Sequence, residues 1–168
     1  VVDETGVTAA SKADRIASAT KRTITEKMEL DPSFYARFSE LLEETIRDYR
    51  AKRLSEAEYL NTIMDIARKV ATKDHGSSLP REIKSDDDAA AFYGIIDPIV
   101  SSAANGNAPA DLSVTVTQRI LGIVKSHLIV DLWSNDVAQN KLRNAIDDYC
   151  FDHLRDDRGL DLPVDKLD

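Results

Sequence analysis

The chain has 168 residues, with 22 Lys and Arg against 30 Asp and Glu, a formal net charge of −8 and a pI of about 4.9. That length suits one domain of ordinary size, and 42% hydrophobic content is enough for a single sizeable core. An acidic surface repels phosphate backbones, which argues against a dedicated DNA-binding domain.

A single cysteine, Cys150, makes no internal disulfide and points to a reducing, cytoplasmic setting. Between Tyr149 and Phe151 in a helical pattern, it reads as a buried, inert thiol. No apolar run approaches the roughly 20 residues a membrane span needs, and no signal peptide is visible. Val1 is not a methionine, and the closing LPVDKLD reads as the first turn of another helix. The chain is therefore expected to be a piece of a longer protein, with residues 1–30 a connector and first helix and residues 31–168 one helical domain.

Residues 1–7 read as frayed. From Thr8 to Glu29, Ala13, Ile16, Ala17, Thr20, Ile24, Lys27 and Met28 have helical spacing, but the face is small and weak. It either packs loosely or belongs against a missing neighbour. Asp31 and Pro32 then form an N-cap and first helical position. Tyr35, Phe38, Leu41, Leu42, Thr45, Ile46 and Tyr49 give the next helix its apolar face. A turn near Arg53 and Leu54 leads to Ser55 and Glu58, the two ends of a capping box. The following stripe is Tyr59, Leu60, Ile63, Ile66, Ala67 and Val70. Two long helices joined so tightly should lie antiparallel, and other helices must cover them. The predicted fold is all-α, a bundle of about five to six helices built around this hairpin.

Residues 73–84 read as a loop, with His75 as a solvated loop histidine rather than a ligand or pH sensor. Ser85 is expected to cap a helix opening with Asp86, Asp87 and Asp88. Three aspartates invite a metal reading, but acidic groups in a first turn complement the helix dipole without one. Ala91, Phe92, Ile95, Ile96, Ile99 and Val100 continue that helix, with Pro98 kinking or ending it near Asp97. After a loop at 103–111, Val114 and Val116 alternate like a strand. A lone strand would leave its backbone unpaired, so a helix from Leu112 is expected, carrying Ile120, Leu121, Val124, Leu128 and Ile129. Gly122 would allow close helix approach, and His127 reads as a core-edge residue. At the break 131–134, Trp133 either closes the end of the core or presents an anchor to a partner; the core is the expectation. Ser134 is expected to cap the last helix, with inner stripe Val137, Ala138, Leu142, Ala145, Ile146, Tyr149 and His153 and a stop at Gly159. The carboxylate pairs Asp147/Asp148 and Asp156/Asp157 point about 100° apart on a helix and do not converge.

Phosphate loops, dinucleotide fingerprints, HExxH, CxxC, GxSxG and EF-hand patterns are absent from the sequence. No catalytic, cofactor-binding or metal-ligating residues are therefore expected. The candidates left are contacts: Arg47, Arg50, Lys52 and Arg53 around the first turn, for a partner or phosphate, and Trp133.

Residues 24–70 resemble the C-terminal helical domain of the restriction subunit of type I restriction–modification enzymes. There an LxxxIxxY helix (here Leu42, Ile46, Tyr49) precedes a short basic turn. A helix matched by Ser55, Glu58, Leu60, Ile63, Ile66, Ala67 and Val70 follows. SDDDAAAFYGII (residues 85–96) looks like the family's acidic helix start, and residues 129–163 look like its corner and final long helix. The loop at 73–84 is richer in Gly, Ser and Pro than the pattern, and Trp133 follows Leu132 rather than an aspartate. The resemblance implies a parent subunit that hydrolyses ATP with Mg²⁺, pulls DNA and cuts it. In that parent this region seats the motor on the methyltransferase and specificity subunits. DNA would be reached through the complex, in a bacterial or archaeal cytoplasm and away from any membrane. The alternative is a helical domain of that subunit that touches nucleic acid or nucleotide itself.

Overall fold

Thr8 opens the first helix by accepting a hydrogen bond from the Ser11 N–H (3.1 Å). In the computed structural model, which describes residues 8–76, 79–105, 109 and 111–160, this helix α1 spans Ala9–Lys27. The expectations for residues 1–7, for loop positions 77–78, 106–108 and 110, and for a helix beginning in LPVDKLD lie outside the described residues. The described residues form six α-helices and no strand, so the chain is all-α. They fall into two compact units, Val1–Ser78 and Leu79–Asp168.

In the first unit a short 3₁₀ turn, Met28–Leu30, leads to α2 (Pro32–Arg50). Asp31 caps α2 as expected, its Oδ1 accepting from the Phe34 N–H (3.1 Å), with Pro32 at the first position. The Ser55/Glu58 capping box is complete: Glu58 accepts from the Ser55 N–H (2.8 Å) and Ser55 Oγ from the Glu58 N–H (3.3 Å). It opens α3 (Glu56–Thr72), which returns antiparallel to α2. Between them, Lys52 takes a left-handed conformation (φ +57°), so that the Arg53 N–H can bond the Asp48 carbonyl (2.9 Å) and close α2.

The core joins Phe34, Tyr35, Phe38 and Leu42 of α2 to Tyr59, Ile63, Ile66 and Val70 of α3. Leu41, placed on that face by its spacing, is exposed instead. The cover is α1, through Ala13, Ala17, Thr20 and Ile24. Its small face therefore packs within the chain, chiefly on α3.

The second unit begins with a turn whose Ile83 is fully buried, an anchor inside what reads as a polar loop. Asp86, not Ser85, caps α4 (Asp87–Ala103), accepting from the N–H groups of Asp88 (2.9 Å) and Ala89 (3.1 Å). Pro98 does not end α4 near Asp97. The carbonyl it deprives of a donor is that of Gly94, and Ile96 and Val100 stay buried on either side of the proline.

α5 (Leu112–His127) starts where expected and is helical through Val114 and Val116. Leu128 and Ile129 lie beyond its end and are exposed. A Cβ on Gly122 would meet open space, so this glycine does not mark a close helix contact.

Asn135, not Ser134, caps α6 (Asp136–Tyr149), accepting from the Ala138 N–H (3.1 Å). α6 runs into a π-helical stretch, Cys150–Asp156. Cys150 and Leu154 face inward along that stretch, beside half-buried Ile146 and Tyr149. Val137 and His153, expected on the inner stripe, are exposed. Gly159 (φ +65°) ends the stretch, with the Leu160 N–H bonding the Leu154 carbonyl (2.8 Å).

Two outcomes are expected in denaturant unfolding of the chain. Tyr59→Ala, which removes a fully buried ring from the centre of the first core, costs about 3–5 kcal/mol, whereas Tyr59→Phe costs about 1 kcal/mol. Asp86 is held below the usual carboxylate range, chiefly by the Ala89 N–H and then by Lys125. A carboxyl lowered on folding stabilises above its unfolded value and loses that contribution as pH falls through the folded one. Asp86→Asn keeps the acceptor without the charge, so melts of this variant should lose less stability between neutral and acid pH than the parent chain.

Candidate functional site

The basic end of the first unit is built by the turn that closes α2. Arg47 and Arg50 lie in its last turn, Lys52 and Arg53 follow, and all four are exposed. Arg53 is paired with Asp48 (2.9 Å). Cations at a helix C-terminus also meet the negative end of its dipole, which explains part of the cluster.

Beside them, Arg50 borders a recess of about 270 Å³ shared with Lys21 and Asp14 of α1 and with Tyr49 and Tyr59. The two tyrosines stack face to face, centroids 4.2 Å apart. Tyr59 donates its hydroxyl hydrogen to Asp14 Oδ1 (2.9 Å). Burial, and then Asp14, push this phenol up to about 12, against the opposing pull of Arg50. Tyr59 therefore stays protonated at neutral pH and serves as a tie between α1 and α3. The recess thus sets the cations Lys21 and Arg50 beside the Asp14 carboxylate that Tyr59 engages.

The second candidate, Trp133, is in the other unit. It does not close the core: it is 81% exposed, and its neighbour Leu132 is the one buried. Both lie in a 3₁₀ turn, Leu132–Ser134, held by the Leu132 N–H on the Ile129 carbonyl (3.2 Å) and the Asn135 N–H on the Leu132 carbonyl (3.2 Å). Gln139 of α6 donates to the same Leu132 carbonyl (3.1 Å), fixing the corner to the helix that follows. Such a tight turn points adjacent side chains apart, so one turns inward and the other outward. Leu128, Ile129, Val130 and Val137 are exposed around the same corner.

His75 is not a solvated loop residue. Its side chain is 14% exposed, its ring lies 4.5 Å from that of Phe34, and its Nε2 is 3.6 Å from Oδ2 of Asp31, which is 1% exposed. Lys73 Nζ stands 3.9 Å from the same oxygen. The antiparallel hairpin brings the end of α3 to the start of α2, so the capping carboxylate of one helix meets the basic residues that follow the other. The available clue was the hairpin itself, since Asp31 and His75 carry no shared motif.

The remaining candidates are committed to structure. Asp86 caps α4 and pairs with Lys125 (3.1 Å). His127 is half-buried, with Nδ1 2.9 Å from the Ile123 carbonyl. Burial, and then Asp147, push the Cys150 thiol up to about 11, away from the reactive thiolate. Among the described residues no group of three or more His, Cys, Asp or Glu could hold a metal ion. No described helix is long and apolar enough to cross a membrane.

No curated protein and no solved structure matches the chain. A family model does match, over residues 11–149, from the first turn of α1 to the last residue of α6. It describes the C-terminal region of proteins like the endonuclease subunit of the type I restriction enzyme HindI, and the chain belongs to that family.

Proposed function

We propose that this chain is the assembly domain of a type I restriction enzyme's endonuclease subunit, seating an ATP- and Mg²⁺-dependent DNA translocase and nuclease on the methyltransferase–specificity core. Cleavage and ATP hydrolysis belong, on this reading, to the rest of the subunit, and a bacterial or archaeal cytoplasm is where the complex would act. What carries it is how the chain uses its polar groups. Asp31, Ser55, Glu58, Asp86 and Asn135 cap helices, Asp14 holds Tyr59, and Asp48, Asp65 and Glu43 pair with surface cations. Side chains spent in this way make a stiff helical body and offer little to a reacting substrate.

The exposed cations Arg47, Arg50, Lys52 and Arg53, with the recess beside Arg50, favour a second reading: direct contact with a nucleic-acid backbone or nucleotide. The balance of charge separates the two units here. Residues 79–168 hold 9 of the 22 basic and 16 of the 30 acidic residues, which leaves the first unit the less acidic one.

The whole endonuclease subunit is expected to bind the methyltransferase–specificity complex at least about tenfold more tightly than a subunit lacking this region. The isolated chain should also compete with the whole subunit for that complex. Equal binding with and without the region, together with no competition, would overturn the reading. If the second reading holds instead, the chain binds duplex DNA at low salt, the logarithm of its affinity falls linearly with log salt, and replacing Arg47, Arg50 and Arg53 with alanine removes the binding.

A further inference from the structure

Among the described residues, the corner between α5 and α6 is the largest run of apolar side chains that the second unit leaves in water. Leu128 is 54% exposed, Ile129 48%, Trp133 81% and Val137 66%, and Val130 is fully exposed. These five fall within ten residues of sequence, in a segment bent by consecutive turn bonds and tied to α6 by Gln139. A fixed turn presents its side chains in one arrangement, so a partner would not have to order them on binding.

The corner is not a defect of the fold, because the same turn buries Leu132. Exposed aromatic side chains on a rigid turn, grouped with aliphatic ones, are what protein interfaces use as anchors. Its polar surroundings select the partner. Asp131 and Asp136 flank Trp133 and are exposed, Lys141 is the cation one turn beyond Val137, and the whole second unit is acidic by 7 charges, 16 against 9. A matching surface is apolar at its centre and basic at its rim.

We propose that residues 128–137 form a docking knob, with Trp133 as its anchor, for a protein surface carrying an apolar slot rimmed by Lys and Arg. The inference rests on the assembly reading above and names the surface that reading needs. The slot lies on the methyltransferase–specificity complex. Trp133 enters it, Val130 and Val137 cover the edges of the slot, and Asp131 and Asp136 meet its cations.

Trp133 is the chain's single tryptophan, so its fluorescence reports the corner directly. Titrating the methyltransferase–specificity complex into the chain, with the complex alone as the blank, should shift the added emission to the blue. In the whole subunit, Trp133→Ala should weaken binding about 30-fold, as for an interface anchor. Asp131→Lys with Asp136→Lys should slow association and reduce its dependence on salt. Circular dichroism melts of these variants should match the parent chain, because every replaced side chain is exposed. If deleting the whole region abolishes binding while Trp133→Ala with Val137→Ala does not, the knob is wrong and the assembly reading stands. If deleting the region changes nothing, both fall. A blue shift on concentrating the chain alone, with a dimer in sedimentation, would make a second copy the occupant and overturn the proposal.

Discussion

The first unit depends on how closely α1 can approach the α2–α3 hairpin. Both helices of that hairpin carry long apolar side chains, and two such faces cannot be hidden by packing against each other alone. The covering helix must then present little bulk of its own where Tyr59 and Ile63 stand. α1 does so with Ala13 and Ala17, both buried, and keeps its one large buried side chain, Ile24, for the other end. Thr20 fits the same face because its hydroxyl donates to the Ile16 carbonyl (2.8 Å), as Thr45 does to Leu41 (2.7 Å). A buried hydroxyl with an acceptor one turn back leaves no polar group unsatisfied. The weakness of the α1 face, as read from composition, is thus the property that lets it serve. Side-chain volume matters to a covering helix as much as hydrophobicity does.

Helix starts were legible where one residue had a clear claim, as with Asp31 and the Ser55/Glu58 pair. They slipped by one where two polar residues stood together. Ser85 precedes Asp86 and Ser134 precedes Asn135, and all four are good caps. Which one caps depends on whose oxygen reaches the N–H two or three residues on, a matter of backbone angles. Periodicity failed in the same local way. It extended α5 through Leu128 and Ile129, although the chain leaves the helix after His127, and it placed His153 inward, although the π-helical winding after Tyr149 re-aims that face; Val137, in the first turn of α6, is exposed as well. A rule with period 3.6 holds only while the winding does.

The candidate contact residues show a different limit. The four cations near the first turn are where spacing put them, on the surface. What spacing could not show is that Lys52 stands in a left-handed conformation, where glycine or asparagine is the usual residue, or that Arg50 shares a recess with Lys21 and Asp14 from another helix. His75 was misread for a related reason. Loop composition predicts solvent, yet the antiparallel return of α3 carries the loop back onto the buried cap of α2. Both facts belong to tertiary pairing.

Leu132 and Trp133 bring these limits to one point. Both are large and apolar, they are adjacent, and the turn that holds them points one inward and the other outward. The tryptophan, expected to close the core, is the one left outside, and the leucine is the one buried. The interior accepts a leucine at the corner, where Leu132 is buried. An indole in the same place would need added volume in a packed interior, which strains neighbours and backbone. The choice is therefore set by the room beneath the turn. Once Leu132 fills that room, the tryptophan has no structural duty left within its own unit, and its exposed ring is free to meet another surface.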